Sequence, residues 1–233
     1  AAEEAAPKVP PPTNDLLLSG TPPFDSIEPQ EWTLHEFSGF RKFEKAAPFP
    51  DPMPATPTHA LTGFNLIDAS RDAALLATVK LFNIEKRGVD VEFNTAGGSH
   101  VMALGACALA WTPVRRTIHS GQIALGSRVT TGWTLAQGEG LREYVAHVEF
   151  PTGFEEPPSV VTAISHINLA THANARFDVT IARVTRFGFE ARIATWGDSS
   201  IIAITVSWMA TQDGRVQGLA PDTPGAAVAD QFT

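Results

Sequence analysis

Two side chains with the chemistry of recognition stand at the edges of apolar runs: Arg176 in "NARFDV" (174–179) and Trp196 in "TWGDSS" (195–200). An arginine beside an indole admits two readings. One is a surface cation–π pair, worth ~0.5–1 kcal/mol at an exposed site. The other is a sugar site, in which the ring covers the apolar face of a hexose and the guanidinium donates to its hydroxyls. Catalysis has less support. "GDSS" (197–200) carries serines after a turn, but a nucleophilic serine needs a strand–turn–helix elbow and a partner histidine, and here a strand pattern follows. The histidines at 35, 59, 100, 119, 147, 166 and 172 lack the paired spacing of a metal site, so no metal or other cofactor is expected. His147 and His166 read as structural or exposed strand residues. Cys107, the only cysteine, lies in an apolar run, reads as packing and excludes an intrachain disulfide framework.

The elements that must position these residues show as alternation. In 189–195, Phe189, Ala191, Ile193 and Thr195 share one face, and Glu190, Arg192 and Ala194 the other. Trp196 continues the outward series. Arg176 opens a strand on the outward parity, with Asp178 and Thr180, against inward Phe177, Val179 and Ile181. Ile202, Ile204, Val206 and Trp208 line one face of the next strand. No stretch reads as a long amphipathic helix.

The pattern recurs. "EWTLHEF" (31–37) matches "GWTLAQG" (132–138), and Trp32 to Trp133 is an offset of 133 − 32 = 101. "RGVDVEFNTAGGS" (87–99) matches "FGFEARIATWGDS" (187–199) at 188 − 88 = 100. "VMALGACALAW" (101–111) matches "IIAITVSWMAT" (201–211). Val89, Val91 and Phe93 keep the parity of their counterparts, and because a one-residue slip would turn the set outward, this predicts a shared register. The expected fold class is all-β, with two tandem antiparallel β-sandwich domains of about six strands each, at 15–111 and 119–210, joined by a linker at 112–118. Residues 1–14 and 211–233 are tails rich in Ala, Pro and Gly. Segments of this composition order mainly when docked, and are expected to lie on neighbouring subunits.

Composition bounds the rest. Of 233 residues, 43% are hydrophobic and 18% charged, enough for a real core, and 18 Gly with 18 Pro suit turn-rich β structure. A net charge of −8 argues against a nucleic-acid partner, which calls for clustered Lys and Arg. No apolar run reaches the roughly 18 residues of a membrane-spanning helix, so no membrane insertion is expected.

Residues 119–210 resemble an H-type lectin domain, the family of the snail agglutinins that also closes the discoidins. The stretches that carry the resemblance are "HSGQIALG" (119–126), "GW" (132–133), "HVEFPTGFEEPPSVVTAI" (147–164), "NARFDV" (174–179), "RFGFEARIATW" (186–196) and "IIAITVSWMA" (201–210). The resemblance implies a six-stranded antiparallel sandwich, assembly as a trimer, and binding of galactose or N-acetylgalactosamine in a cleft between protomers. It carries the family's sugar-binding arginine onto Arg176 and its tryptophan onto Trp196. The position after the tryptophan, often a histidine in the family, is Gly197, followed by Asp198 and Ser199. The acidic residue of the family's early loop corresponds to Glu139 in "QGEG", and a later aromatic to Ile202. The first repeat has Leu76 and Ala96 at the arginine and tryptophan positions and reads as a structural copy.

The expected function is therefore a lectin with one site per chain, in the second repeat, with glycans or glycoproteins as partners, multivalent through homo-oligomerisation and extracellular or surface-associated. The alternative is an assembly subunit that uses the sandwich to oligomerise without binding sugar.

Overall fold

Alternation becomes burial wherever a strand covers a core. In β12 (Gly188–Thr195), Phe189, Ala191, Ile193 and Thr195 are buried, as are Val89, Val91, Phe93 and Thr95 of β6 (Gly88–Thr95). The computed structural model describes residues 17–20, 24–25, 33–34, 36, 38–49, 52–53, 55–70, 72–111, 118–171 and 174–212. The expected N-terminal tail, linker residues 112–117 and residues 213–233 lie outside the described residues. Every regular element among the described residues is a strand, and every pairing is antiparallel.

In the first half, β4 (His59–Ala69) pairs with β7 (Val101–Trp111), whose other edge takes the short β1 (Leu17–Gly20) and β2 (Phe24–Asp25). β3 (Arg41–Pro48), β6 and β5 (Leu75–Glu85) make the facing layer. In the second half, β10 (Ser159–Leu169), β13 (Ile201–Thr211) and β8 (Ile118–Gly126) oppose β9 (Arg142–Glu149), β12 and β11 (Phe177–Ala182). β4 and β10 have the same length and the same two register breaks, at Phe64/Leu66 and Asp68/Ala69 and at Ile164/His166 and Asn168/Leu169. Non-ladder bonds also recur at the same offset: the Val101 N–H donates to the Leu34 carbonyl (3.3 Å), and that of Ile201 to Leu135 (2.8 Å).

The halves are not joined by a linker alone. β5 pairs with β10 over Leu75–Thr78 against Leu169–His166, which makes one continuous sheet in the order β3-β6-β5-β10-β13-β8. Thr78 Oγ1 and His166 Nδ1 lie 2.8 Å apart across this seam. Behind it, Leu61, Leu109 and Trp111 pack with Met209, and a Cβ on Gly63 would come within 2.5 Å of the Ala163 Cβ, so only glycine allows that approach. The seam explains a difference from the simple alternation expected for β13. Ile204, Val206 and Trp208 do face the sandwich core, yet Ser207 and Met209 are buried too, because the other side of β13 meets the first half. β13 also runs on to Thr211, and Gln212 donates to the Glu156 carbonyl at 3.0 Å, so the described fold extends two residues into the expected C-terminal tail.

Candidate functional site

Register brings Arg176 and Trp196 together. Phe177 opens β11 opposite Thr195, the last residue of β12, so the residue before one strand and the residue after the other share an end of the sheet. Thr195 Oγ1 donates to the Arg176 carbonyl at 2.6 Å and holds that end closed. Trp196 is 42% exposed, in keeping with its outward parity. The Arg176 guanidinium is spent on a carboxylate: Nη1 lies 2.6 Å from Asp198 Oδ1, and among the described residues Arg176 makes no cation–π contact with Trp196. The simple surface cation–π pair is therefore not what the two side chains form.

The turn after Trp196 is built to hold this arrangement. Gly197 has φ +62°, and a Cβ there would sit 2.5 Å from Arg176 Nη1, so its hydrogen leaves the space that the guanidinium fills. Asn174 donates to both oxygens of Asp198 at 3.3 Å. Desolvation is the largest single influence on the Asp198 carboxyl and favours its neutral form. The Asn174 amide, the backbone N–H of Asp198 and the Arg176 charge together outweigh it and hold the group below its ordinary range. Asp198 is thus a carboxylate at neutral pH. Ser199 is fully buried: its hydroxyl accepts from the Arg176 N–H at 2.8 Å and donates to the Asn174 carbonyl. It supports the site from beneath and is not presented to a ligand.

Glu139 is exposed on the loop before β9, and among the described residues it makes no hydrogen bond or ion pair. The loop itself is tied to the turn. Arg142 donates to the carbonyls of Gln137 (2.9 Å) and Gly140 (3.2 Å), and through Nη2 to those of Gly197 (3.1 Å) and Ser199 (2.6 Å). Ser200 Oγ adds a bond to the Ala136 carbonyl at 2.6 Å. The serine pair of "GDSS" is thereby committed to backbone, one inside the turn and one across it. Arg142 is the residue that sequence reasoning missed. Its signal was the recurrence of an arginine eight residues before Phe-Pro, Arg41 before Phe49-Pro50 and Arg142 before Phe150-Pro151.

The first half carries the same scaffold without the presented groups. Arg41 donates to Thr95 Oγ1 (3.1 Å) and to the carbonyls of Gly97 (3.0 Å) and Ser99 (2.8 Å), and the Leu76 N–H donates to Ser99 Oγ at 2.8 Å, as Arg176 does to Ser199. Gly97 has φ +63°. What differs is Leu76 for Arg176 and Ala96 for Trp196. Elsewhere, His166 is half-buried at the seam, and burial lowers its pKa. His147 stands 3.5 Å from Glu190, and half-buried Cys107 donates to the Gly63 carbonyl at 3.6 Å. Among the described residues, no three His, Cys, Asp or Glu side chains cluster as a metal site would require. No helix among them is long and apolar enough to cross a membrane.

Residues 145–211 match the H-type lectin domain family, a span that contains Arg176 and the whole turn from Trp196 to Ser199. The chain is 32% identical over 93 residues to the protein "ATP synthase subunits region ORF 7" of Fuscovulum blasticum, covering 40% of this chain and 81% of that protein. It is 25% identical over 154 residues to Discoidin-2 of Dictyostelium discoideum, covering 63% of this chain and 56% of that relative. Among solved structures, the native structure of recombinant discoidin II of Dictyostelium discoideum overlays with a TM-score of 0.37 at 16% identity, over 72% of this chain and 82% of that one. With the matched segment folded as the β9-to-β13 part of an antiparallel sandwich, the chain belongs to the H-type lectin domain family.

Proposed function

We propose that the chain is a carbohydrate-binding protein with one glycan site, at the Arg176–Trp196 end of the second half. The observation that carries this reading is an exposed indole beside an ion-paired arginine within the matched lectin segment. Trp196 offers an apolar wall of the kind that covers the hydrophobic face of a hexose. Arg176 has five N–H donors, of which Nη1 holds Asp198, so the others are available to sugar hydroxyls. Asp198 accepts, Gly197 keeps the space open, Ser199 fixes the loop beneath, and Glu139 stands on the neighbouring loop as a further acceptor. The ligand class is a galactose- or N-acetylgalactosamine-type glycan, bound with no cofactor and outside or on the surface of the cell.

Residues 15–111 and 119–210 then act as two tandem sandwich units, the first a scaffold with Leu76 and Ala96 in place of the site. A shallow single site of this kind binds at about millimolar Kd, near −4 kcal/mol. A trimer presenting three such sites would raise effective binding by roughly 10²–10⁴ where glycan spacing matches. A glycan array with the intact chain, followed by titration of the best ligand into Arg176→Ala and Trp196→Ala, tests the reading. Loss of binding in both variants supports it, whereas undiminished binding without either side chain removes it.

A second reading has an observation in its favour. The first half keeps the arginine-to-turn scaffold while lacking both presented side chains, and it is built into a shared sheet. This suits an assembly subunit whose sandwiches serve oligomerisation, and an array without any bound glycan would favour it.

A further inference from the structure

The seam between the halves opens into a groove. β5 and β10 pair only from Leu75 to Thr78, against Leu169 to His166. At Ser165 the register of β10 breaks, and because a break of this kind bends a strand, the two strands part there. β5 runs on to Glu85 beside β6, and among the described residues its other edge takes no strand beyond Thr78. Between this edge and β4, β8, β10 and β13 lies a space of about 680 Å³. That volume falls within the roughly 300–1,000 Å³ of small-molecule sites, which favour clefts between packed units.

The lining has a consistent chemistry. Six of its residues bear hydroxyls, and none bears a carboxylate. Buried Ser165 and Ser207 belong to a fixed relay: Gln122 Nε2 donates to Ser207 Oγ (3.2 Å), Ser207 to Ser165 Oγ (2.8 Å), and Ser165 to the Thr205 carbonyl (3.4 Å). Other groups are left over. The hydroxyls of Ser120 and Thr205 take no partner among the described residues, and Thr78 engages His166 at Nδ1, leaving Nε2. Alternate N–H and C=O groups along the open β5 edge add backbone donors and acceptors. Net charge is small. Burial keeps His166 neutral at pH 7, and Lys80 stands 3.8 Å from Glu92, which balances it. An ion would find no counter-charge there. Leu61, Leu81 and Ile84 supply an apolar wall.

We propose that this groove is a second binding site, for a neutral polyhydroxylated molecule about the size of a mono- or disaccharide. Hydroxyls both donate and accept, so they suit a lining of hydroxyls, an amide and an imidazole, while the ligand's C–H faces lie on the apolar wall. Both halves build it, the first through β4 and β5 and the second through β8, β10 and β13. The first half, without the arginine and tryptophan of the candidate site, thereby gains a part in binding. The inference does not rest on the Arg176–Trp196 site.

The test uses the full chain carrying Arg176→Ala and Trp196→Ala, so that the candidate glycan site contributes nothing. Galactose, glucose and myo-inositol are titrated in turn while backbone amide shifts are recorded. The expected result, with at least one of them, is a saturable response at about millimolar Kd, centred on residues 79–84, 120–122 and 205–208. Adding Thr205→Val removes a hydroxyl while keeping the side chain's shape, and weakens binding roughly threefold to tenfold. Adding Ser120→Tyr, at an exposed position, fills the groove and abolishes binding. No saturable response to any of the three, a response centred elsewhere in the chain, or unchanged affinity in these variants overturns the proposal. If Ser120→Tyr does not melt cooperatively, Thr205→Val alone decides. The lectin reading is judged separately, by whether glycan-array binding is lost when Arg176 or Trp196 is replaced.

Discussion

Alanine at Gly197 and alanine at Gly97 impose the same backbone problem with different consequences for the site. The two glycines have φ +62° and +63°, where a side chain costs about 1–2 kcal/mol. A Cβ at position 97 meets nothing within 4 Å, but at position 197 it would lie 2.5 Å from Arg176 Nη1. The atom displaced is the far end of a flexible side chain. The clash therefore moves the guanidinium instead of unfolding the turn, and the ion pair it disturbs, 37% and 51% exposed, is screened by solvent and contributes little to stability. Both variants are expected to lose a similar ~1–2 kcal/mol, a fall in Tm of roughly 2–8 °C for a chain of this size. Glycan affinity should separate them: Gly197→Ala loses about tenfold or more as Arg176 leaves its place, while Gly97→Ala binds normally. Calorimetric melting and titration with the array-selected glycan measure the two effects. Equal binding by both variants would show that the position of Arg176 does not matter, and the reasoning from geometry to recognition would fail.

Trp196→Ala should abolish glycan binding with little change in Tm, whereas Trp208→Ala, 5% exposed against Phe150 and Phe189, should cost ~3–5 kcal/mol of stability. Severe destabilisation by Trp196→Ala would contradict its exposed placement. Arg142→Ala removes donors from four carbonyls that tie the 137–140 loop to the 197–199 turn; a loss of roughly 1.5–3 kcal/mol and weaker binding are expected, read by denaturant unfolding and titration. Burial lowers the pKa of His166, so the unfolded chain takes up this proton more readily than the folded one. Stability contributed by neutral His166 is present above about pH 6.5 and falls as pH drops through the ordinary histidine range toward the lowered pKa; His166→Gln should flatten that part of the curve. The Asp198 carboxyl is held below its ordinary range, so binding that depends on its charge should persist through mild acid and fail only below about pH 4.

The meeting of Arg176 and Trp196 at one end of the β11–β12 pair, the centre of the candidate site, was legible because its cues are local. Trp196 follows the last inward residue of an alternating run, and Arg176 opens the run that pairs with it; parity alone placed both outward. Other placements were hidden for identifiable reasons. Ser199 has the composition of a turn serine, but its complete burial depends on the 174–176 segment crossing above it, which no spacing reveals. Arg142 looks like one more charged residue at a strand start until its carbonyl partners, up to 57 residues away, are known. His166 reads as an ordinary strand histidine because Thr78, its partner, lies 88 residues earlier.

From sequence alone, the strands and most of their inward-facing residues were determined, because the alternation of side chains across a strand is a steric property of each short segment. The seam between the halves was decided only by the tertiary structure. An edge strand carries unpaired N–H and C=O groups whatever its side chains are, so its sequence does not name the edge that will satisfy them. That β5 meets β10, while among the described residues the matching edges of β4 and β11 take no further strand, follows from where the folded layers come to lie.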